Sequence, residues 1–489
     1  MEAVVSKLID SRRMVFTQMN SLKILQEPLK FDVFISHVLR LRDGSQSEHK
    51  YNTFKDYSQK IAYLECELKH IQNAIDSVLR PQKVELNGVH SEAGRLETVL
   101  MHRSGKEINR LTSKNLDALL FDAKPNLDDT HRSHDMFADS LREHGVHILY
   151  LTDIIGETLA SSKSAVHELI NGIVENTDSS PHIKHCLQLW LEARQPAQLA
   201  RDVIEGVACT ADELEQLDIA NLLPLGEFIV PPLPNIMFTR DSFSIIENKV
   251  VIHQMAFPAR QNEPLIMSII FKYYPKFVGH FELIDWQRYI PHSAKATMEG
   301  GDLAYVGDGT LIIGWSQRTN KYAIDALAQA MFDAGTLKRV IAVKIPESRD
   351  YMHLDTVMSS VGHSGFTLHT CLSKLMSVYE VTLDTNGSLR WVSKGSVETL
   401  DSVLGHTVTF YDSKTDEASV EDQRSCRHNA LAIDECHVIT YGEDDKENSI
   451  VTQMKQSSFI VFPIHTAGLL EGTGGAHCMT NALSRRSIE

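Results

Sequence analysis

Apolar residues recur along the chain with two different periods, and the change from one to the other divides it. Ile61, Leu64, Leu68, Ile71, Ile75 and Val78 stand three or four residues apart, one face of a helix that must end before Pro81. The polar run Arg42 to Glu48 breaks the segment ahead of it. Residues 1–83 therefore predict a helical extension, either a packed appendage or an oligomerisation or partner arm. From Val84 the period shortens. Val84 to Leu86, Leu96 to Met101, Leu116 to Phe121 and Val146 to Leu151 predict strands, with a helix over His131 to His144, so 84–154 is expected to be an α/β unit. Helical spacing returns over Leu159 to Val174, His185 to Ala193, Ala197 to Ala208 and Asp212 to Ile219, with Thr210 as a helix start. Residues 155–228 predict an all-helical insertion.

Over 229–489 a pattern repeats. Ser242 to Ile252, Leu303 to Ile313 and Asn429 to Thr440 each read as a hairpin of branched apolar strands around a polar turn. A charged residue and then a helix follow each, ending near Tyr273, Phe332 and Gln456. Residues 94–151 and 353–405 are looser candidates for further units. Self-similar units stack or arrange radially. Five would close a ring with strand ends around a central cavity; an open doubly wound sheet is the other arrangement.

Composition narrows the function classes. The 489 residues are 43% hydrophobic and 23% charged, an ordinary globular profile. A formal net charge of −16 argues against a nucleic-acid binder and suits a small cationic partner. The seven cysteines are dispersed without a Cys-x-x-Cys, which suggests neither a disulfide framework nor a zinc site and points to a reducing compartment. No apolar run approaches the roughly 20 residues of a membrane span. Arg12 and Arg13 are offset by Glu2 and Asp10, so a cytoplasmic protein is expected, with an organelle of mitochondrial type as the alternative.

Four polar clusters sit at the edges of the repeats: Pro234-Asn235-Ile-Met-Phe238-Thr-Arg-Asp241, Met298-Glu299-Gly-Gly301-Asp302, His353-Leu-Asp355-Thr356, and Glu471-Gly-Thr-Gly-Gly-Ala-His477-Cys478-Met-Thr480. Arg260 and Arg318 hold equivalent places after two of the hairpins. Each cluster has a structural reading: a turn, a cap, a core pair, or a cysteine acting as a small buried hydrophobe. Together they make one thiol, one histidine, at least three carboxylates and two arginines, without metal-ligand spacing. A carboxylate-rich pocket opposes the oxyanion of acyl transfer. It suits a cation, and a guanidinium presents a planar fork of donors that carboxylates match. Two arginines would hold a carboxylate at the substrate's other end. The substrate so described is free L-arginine.

At these positions the chain resembles the arginine deiminases. The resemblance covers about Val84 to Arg485 and rests on Ser91-Glu-Ala-Gly94, Val99 to Glu107, Leu119-Leu-Phe-Asp122, Phe238-Thr-Arg-Asp241, Glu299-Gly-Gly-Asp302, His353-Leu-Asp355-Thr356 and His477-Cys478-Met-Thr480. It implies a five-bladed α/β propeller with an inserted helical bundle, to which this chain adds its N-terminal helical extension. It implies hydrolysis of L-arginine to L-citrulline and ammonia through a covalent cysteine thiouronium, with no cofactor and no metal. Cys478 would attack the guanidinium carbon. Asp241 and Asp355 would hold its nitrogens, Glu299 would orient it, and His353 would act as general acid and then base. Asn235, Arg260 and Arg318 would bind the amino-acid end, and Phe238 would pack on the stem. Thr473 stands where the family usually carries arginine, and Asn481-Ala482 where it usually has a proline; the first bears on substrate gating and on the protonation of the cysteine. Alternatives are an amidinotransferase or a dimethylarginine hydrolase on the same propeller, and a catalytically inactive scaffold that binds partners through its N-terminal helices.

Overall fold

Two antiparallel strands, a helix, and a third strand parallel to the second recur five times in the computed structural model. It describes residues 84–217, 219, 223, 226–442, 448–457 and 459–488, with Met14 and Ile61 alone ahead of them. Apart from Ile61, the helix face expected over 61–78 thus lies outside the described residues. A parallel pairing needs a crossover, and the helix supplies it. One unit has strands Phe243–Ile246 and Lys249–Ile252, helix Asn262–Tyr273 and strand Glu282–Leu283. The next has Leu303–Gly307, Thr310–Trp315, helix Lys321–Asp333 and Arg339–Lys344. A third uses Ser360–Val361, Gly365–Thr367, helix Leu400–Leu404 and Thr409–Tyr411. A fourth uses Leu431–Ala432, His437–Tyr441, helix Ile450–Gln456 and Ile460–Ile464. The remaining unit takes its first strand from the far end of the chain: Asn481–Arg485 lies antiparallel to Leu96–Met101, followed by helix Leu127–Glu143 and strand His147–Tyr150.

The three hairpins expected from the alternation form where expected. Two of the turns use left-handed backbone, supplied by Glu247 (φ 54°) in one and by Gly307, Asp308 and Gly309 (φ 94°, 50° and 70°) in the other. Two short segments differ from expectation. Val84 to Asn87 is irregular, and Leu116 to Leu120 is a run of turns. The Asn115 side chain accepts the Thr112 N–H at 2.7 Å, and this local closure competes with strand pairing. In the looser 353–405 region, strands Ser377–Leu383 and Leu389–Ser396 pair onto Arg339–Lys344, widening that sheet to five strands rather than starting a unit of their own.

Helices Leu151–Ser161, Lys163–Asn176, Pro181–Glu192, Pro196–Glu205 and Ala211–Gln216 follow the strand ending at Tyr150. The single helix expected over 159–174 is two, because Ser162 leaves helical geometry (φ −140°) and caps the second through the Ala165 N–H. Thr210 starts the last helix as expected: it accepts the Glu213 N–H at 3.1 Å and donates its hydroxyl to the Glu213 carboxylate at 2.7 Å. The largest apolar cluster joins these helices to the sheet of Leu96–Met101 and to helix Asn262–Tyr273. Among the described residues no helix is long and apolar enough to cross a membrane. Cys186, Cys209, Cys371, Cys426 and Cys478 are free thiols.

Hydrogen bonds join successive units. Val89 N–H meets Glu247 O at 2.8 Å, Met298 N–H meets Gln254 O at 2.9 Å, and Leu354 N–H meets Asp302 Oδ1 at 2.8 Å. The Thr367 hydroxyl donates to His428 O at 2.7 Å, and Leu96 N–H reaches Ile433 O at 2.7 Å. These contacts gather the segments that lead into each unit's first strand.

Candidate active site

Each lead-in segment contributes to one buried polar cluster. Asp241 precedes the strand at Phe243, Glu299 that at Leu303, His353 and Asp355 that at Ser360, Asn429 that at Leu431, and Cys478 that at Asn481. The glycines of Glu299-Gly-Gly-Asp302 permit the approach. A Cβ on Gly300 would lie 2.0 Å from the Arg240 carbonyl oxygen. A Cβ on Gly301 would lie 2.8 Å from His353 Cγ and 3.0 Å from Asp355 Oδ1, so His353 and Asp355 both border that residue. Asp302 fixes the turn from below: its carboxylate accepts the Leu354 N–H at 2.8 Å and the Ser316 hydroxyl at 2.7 Å. Burial pushes Asp302 up to about 7.

His353 Nε2 lies 2.7 Å from Glu299, and Nδ1 is 3.9 Å from Asp241. Burial alone would lower its pKa, but the charge of Asp241 and the hydrogen bond and charge of Glu299 push it up to about 9. Burial likewise raises Glu299, yet the His353 hydrogen bond and the charge of Arg318 hold it well below the usual carboxylate range. His353 is therefore an imidazolium at neutral pH.

The Cys478 thiol is 3.5 Å from Asp355 Oδ2. Asn429 donates to the sulfur at 3.1 Å and accepts the Cys478 N–H at 3.0 Å. Burial, then the charges of Asp355 and Asp241, push the thiol well above its ordinary value, so it carries its proton. Behind it runs a buried chain. His477 places Nδ1 2.8 Å from Asp355 and Nε2 2.8 Å from Glu92, and Arg240 pairs with Glu92 at 2.7 Å. Burial raises Asp355, but the His477 hydrogen bond and charge, with the charges of His353 and Arg240, hold the carboxylate below its usual range.

The expected substrate-binding residues are arranged less uniformly. Arg260 is buried and fully engaged, with Asp241 at 2.7 Å, Glu263 at 2.8 and 2.9 Å, and the carbonyls of Asn235 and Phe238 at 3.2 and 3.3 Å. Arg318 meets Glu299 at 3.2 Å and stacks over the Phe257 ring, with its guanidinium carbon 4.5 Å from the centroid. Asn235 donates to the Leu119 carbonyl at 2.7 Å. Phe238 packs on the glycine run, where a Cβ on Gly474 would sit 2.3 Å from its ring. Thr473 lies between those glycines in left-handed backbone at φ 59°, unusual for a β-branched residue. The side chains of Asp241, Glu299 and His353 bring ligand atoms within 4.8 Å of one another, close enough to hold a cation. Arg260 and Arg318 already provide positive charge there.

Sequence reasoning missed Asn429 and gave Glu92 no role. The repeat itself held the signal for Asn429, since every other unit offers a polar residue a few positions before its first strand.

A family model described as arginine deiminase matches residues 117–485. The chain belongs to the arginine deiminase family. It is 32% identical over 420 residues to the arginine deiminase of Treponema denticola, covering 82% of this chain and 98% of that protein. It is 33% identical over 415 residues to that of Bacillus cytotoxicus, again covering 82% and 98%. Among solved structures, an amidinotransferase of saxitoxin biosynthesis from Microseira wollei aligns with a TM-score of 0.48 at 13% identity, over 83% of this chain and 98% of its own. A dimethylarginine dimethylaminohydrolase aligns at 0.43 and 15%, over 79% and 99%.

Proposed function

We propose that Cys478 carries the family's reaction, the hydrolysis of L-arginine to L-citrulline and ammonia, through a covalent thiouronium. The observation that carries this is the buried thiol 3.5 Å from Asp355 and under the influence of Asp241, in a cluster with Glu299 and an imidazolium. The same carboxylates that keep the thiol protonated are the groups a guanidinium would neutralise. Substrate binding thus removes the main charges opposing the thiolate. Water takes the thiol proton, sulfur bonds to the guanidinium carbon, and His353 gives its proton to the departing nitrogen. The C–N bond breaks and ammonia leaves. Water then attacks the thiouronium carbon while neutral His353 takes one of its protons. The C–S bond breaks, the sulfur takes the proton of the newly added hydroxyl and citrulline is released.

Asp241 and Asp355 hold the guanidinium nitrogens and Glu299 orients the group. Phe238 lines the stem, beside Asn235. Arg318 reads the α-carboxylate: beyond its ion pair with Glu299, its guanidinium makes only a long contact to Gln317 at 3.4 Å and one to the Met352 sulfur at 4.0 Å, which a carboxylate would displace. Arg260 must exchange an existing bond to join it, and in the meantime fixes Asp241. We assign the five strand–strand–helix–strand units to a closed five-bladed propeller around this cluster, the helices from Leu151 to Gln216 to an inserted helical bundle, and 1–83 to an oligomerisation or partner arm.

The test is direct. Purified protein with L-arginine and a chelator should release citrulline and ammonia in equal amounts. Cys478→Ser should abolish turnover while arginine still binds, because a hydroxyl is a poor nucleophile without strong base assistance. Activity lost in chelator and restored by a divalent ion would sink the mechanism, as would substantial turnover by the serine variant. Supplying an acceptor amine, or dimethylarginine in place of arginine, separates the related guanidine-modifying reactions by their products.

A further inference from the structure

A second convergence of ligand-type side chains lies between two units, outside the chemistry above. His369 follows strand Gly365–Thr367, Asp412 follows Thr409–Tyr411, and His428 precedes Leu431–Ala432. Each offers one ligand atom, and the three atoms lie within 4.8 Å of one another. His369 is 2% exposed and His428 is fully buried, while the Asp412 side chain is 6% exposed. His428 Nε2 sits 2.9 Å from Asp412 Oδ1, and the two imidazole centroids are 5.5 Å apart.

We propose that His369, Asp412 and His428 form a site for a divalent cation of zinc type, which joins the two units and takes no part in the hydrolysis. Two imidazoles and one carboxylate are a donor set that zinc takes with a fourth position open. The carboxylate is oriented as ligating carboxylates are, by neighbours that hydrogen-bond to it. Thr370 donates its backbone N–H at 2.8 Å, and the Ser419 hydroxyl lies 2.8 and 3.0 Å from the two oxygens. That hydroxyl is also 2.7 Å from His369 Nδ1, so an oxygen already occupies the middle of the set and would either ligate or yield. Cys371 stands exposed beside the cluster and contacts the same Ser419, leaving a thiol near the open side.

His428 is followed directly by Asn429, which holds the Cys478 sulfur and its backbone N–H. A cation here would brace the segment that positions the nucleophile. It would stabilise the fold by mass action without entering the reaction.

The full chain should be loaded with zinc and its metal environment read by X-ray absorption. The ligand-type group of the candidate active site, Asp241, Glu299 and His353, offers one imidazole, whereas this site offers two. A zinc shell with two imidazoles is expected; one or none overturns the proposal. Thermal unfolding should shift upward with zinc concentration in the wild type. His369→Gln should lose that shift while its metal-free turnover of arginine stays at the wild-type level. A wild type whose melting is indifferent to zinc, or a variant that keeps the full shift, also overturns it. Should the variant fail to fold, the absorption measurement on the wild type decides.

Discussion

Asn429 grips Cys478 at both ends, donating its side-chain N–H to the sulfur at 3.1 Å and accepting the backbone N–H at 3.0 Å. The pair fixes the thiol's direction, and the same N–H stabilises the thiolate once it forms. A hydrogen bond to a charged group contributes about 1.5–3 kcal/mol, roughly one to two factors of ten in rate. Asn429→Ala should therefore lower kcat by that amount with little change in arginine affinity. Alkylation of Cys478 should also need higher pH in the variant. Unchanged kcat would mean that Asn429 only packs.

The charge on His353 gives a pH dependence of known sign. Its pKa in the folded protein is about 9, raised from 6.5 by Asp241 and Glu299 against the effect of burial. A raised basic group adds stability that is fully present below the unfolded value and is lost as pH climbs through the folded one. Between about pH 6.5 and 9 the wild type should lose on the order of 3 kcal/mol relative to His353→Gln. Denaturant unfolding of both proteins at several pH values measures this difference. Parallel curves would show that His353 is neutral in the fold.

Gly301 should tolerate no side chain. A methyl there would stand 2.8 Å from His353 Cγ, 2.9 Å from its Nδ1 and 3.0 Å from Asp355 Oδ1. Overpacking of this kind costs about 1–3 kcal/mol of stability. The effect on rate should be larger, because His353 and Asp355 must both move, and groups misplaced from the proposed chemistry lose about a hundredfold. Comparing kcat/KM and Tm for Gly301→Ala tests it. Normal kinetics in a folded variant would show that these residues do not act from their observed positions.

The parts of this site that were legible in the sequence were those with a local signature. Alternating apolar residues around Glu247 and Gly307-Asp-Gly309 specify hairpins within ten residues, so their positions could be read. Paired glycines beside Glu299 and the glycine run before Cys478 marked close backbone approach. The rest depended on distant partners. Strand Asn481–Arg485 completes a unit that otherwise lies near the opposite end of the chain, and nothing in its own residues says so. Glu92 gains its place only through His477 and Arg240. Glu263 looks like an ordinary first-turn helix acid, yet it is wholly buried against Arg260, and burial pushes it up to about 7 despite that partner. His102 and Glu107, inside a stretch that carried the family resemblance, pair with each other at 3.0 Å and build a loop.

The proposal that Arg318 reads the substrate's far end is tested by a substitution that keeps the charge. A guanidinium makes two parallel hydrogen bonds to a carboxylate that lysine's point charge cannot reproduce. Arg318→Lys should weaken the handling of arginine by about 1.5–3 kcal/mol, roughly one to two factors of ten in kcat/KM. Arg318 also touches Glu299 at 3.2 Å, and the proposed mechanism uses Glu299 too, so the loss has two sources. Agmatine separates the two contributions, being arginine without its carboxylate. A defect at Glu299 would slow both substrates alike, whereas a lost carboxylate contact costs agmatine nothing. The wild type should use agmatine poorly, and the variant should lose much of its preference for arginine. If the ratio of the two kcat/KM values is the same in both proteins, Arg318 serves Glu299 alone, and the α-carboxylate must be read by Arg260 after it gives up a bond to Asp241 or Glu263.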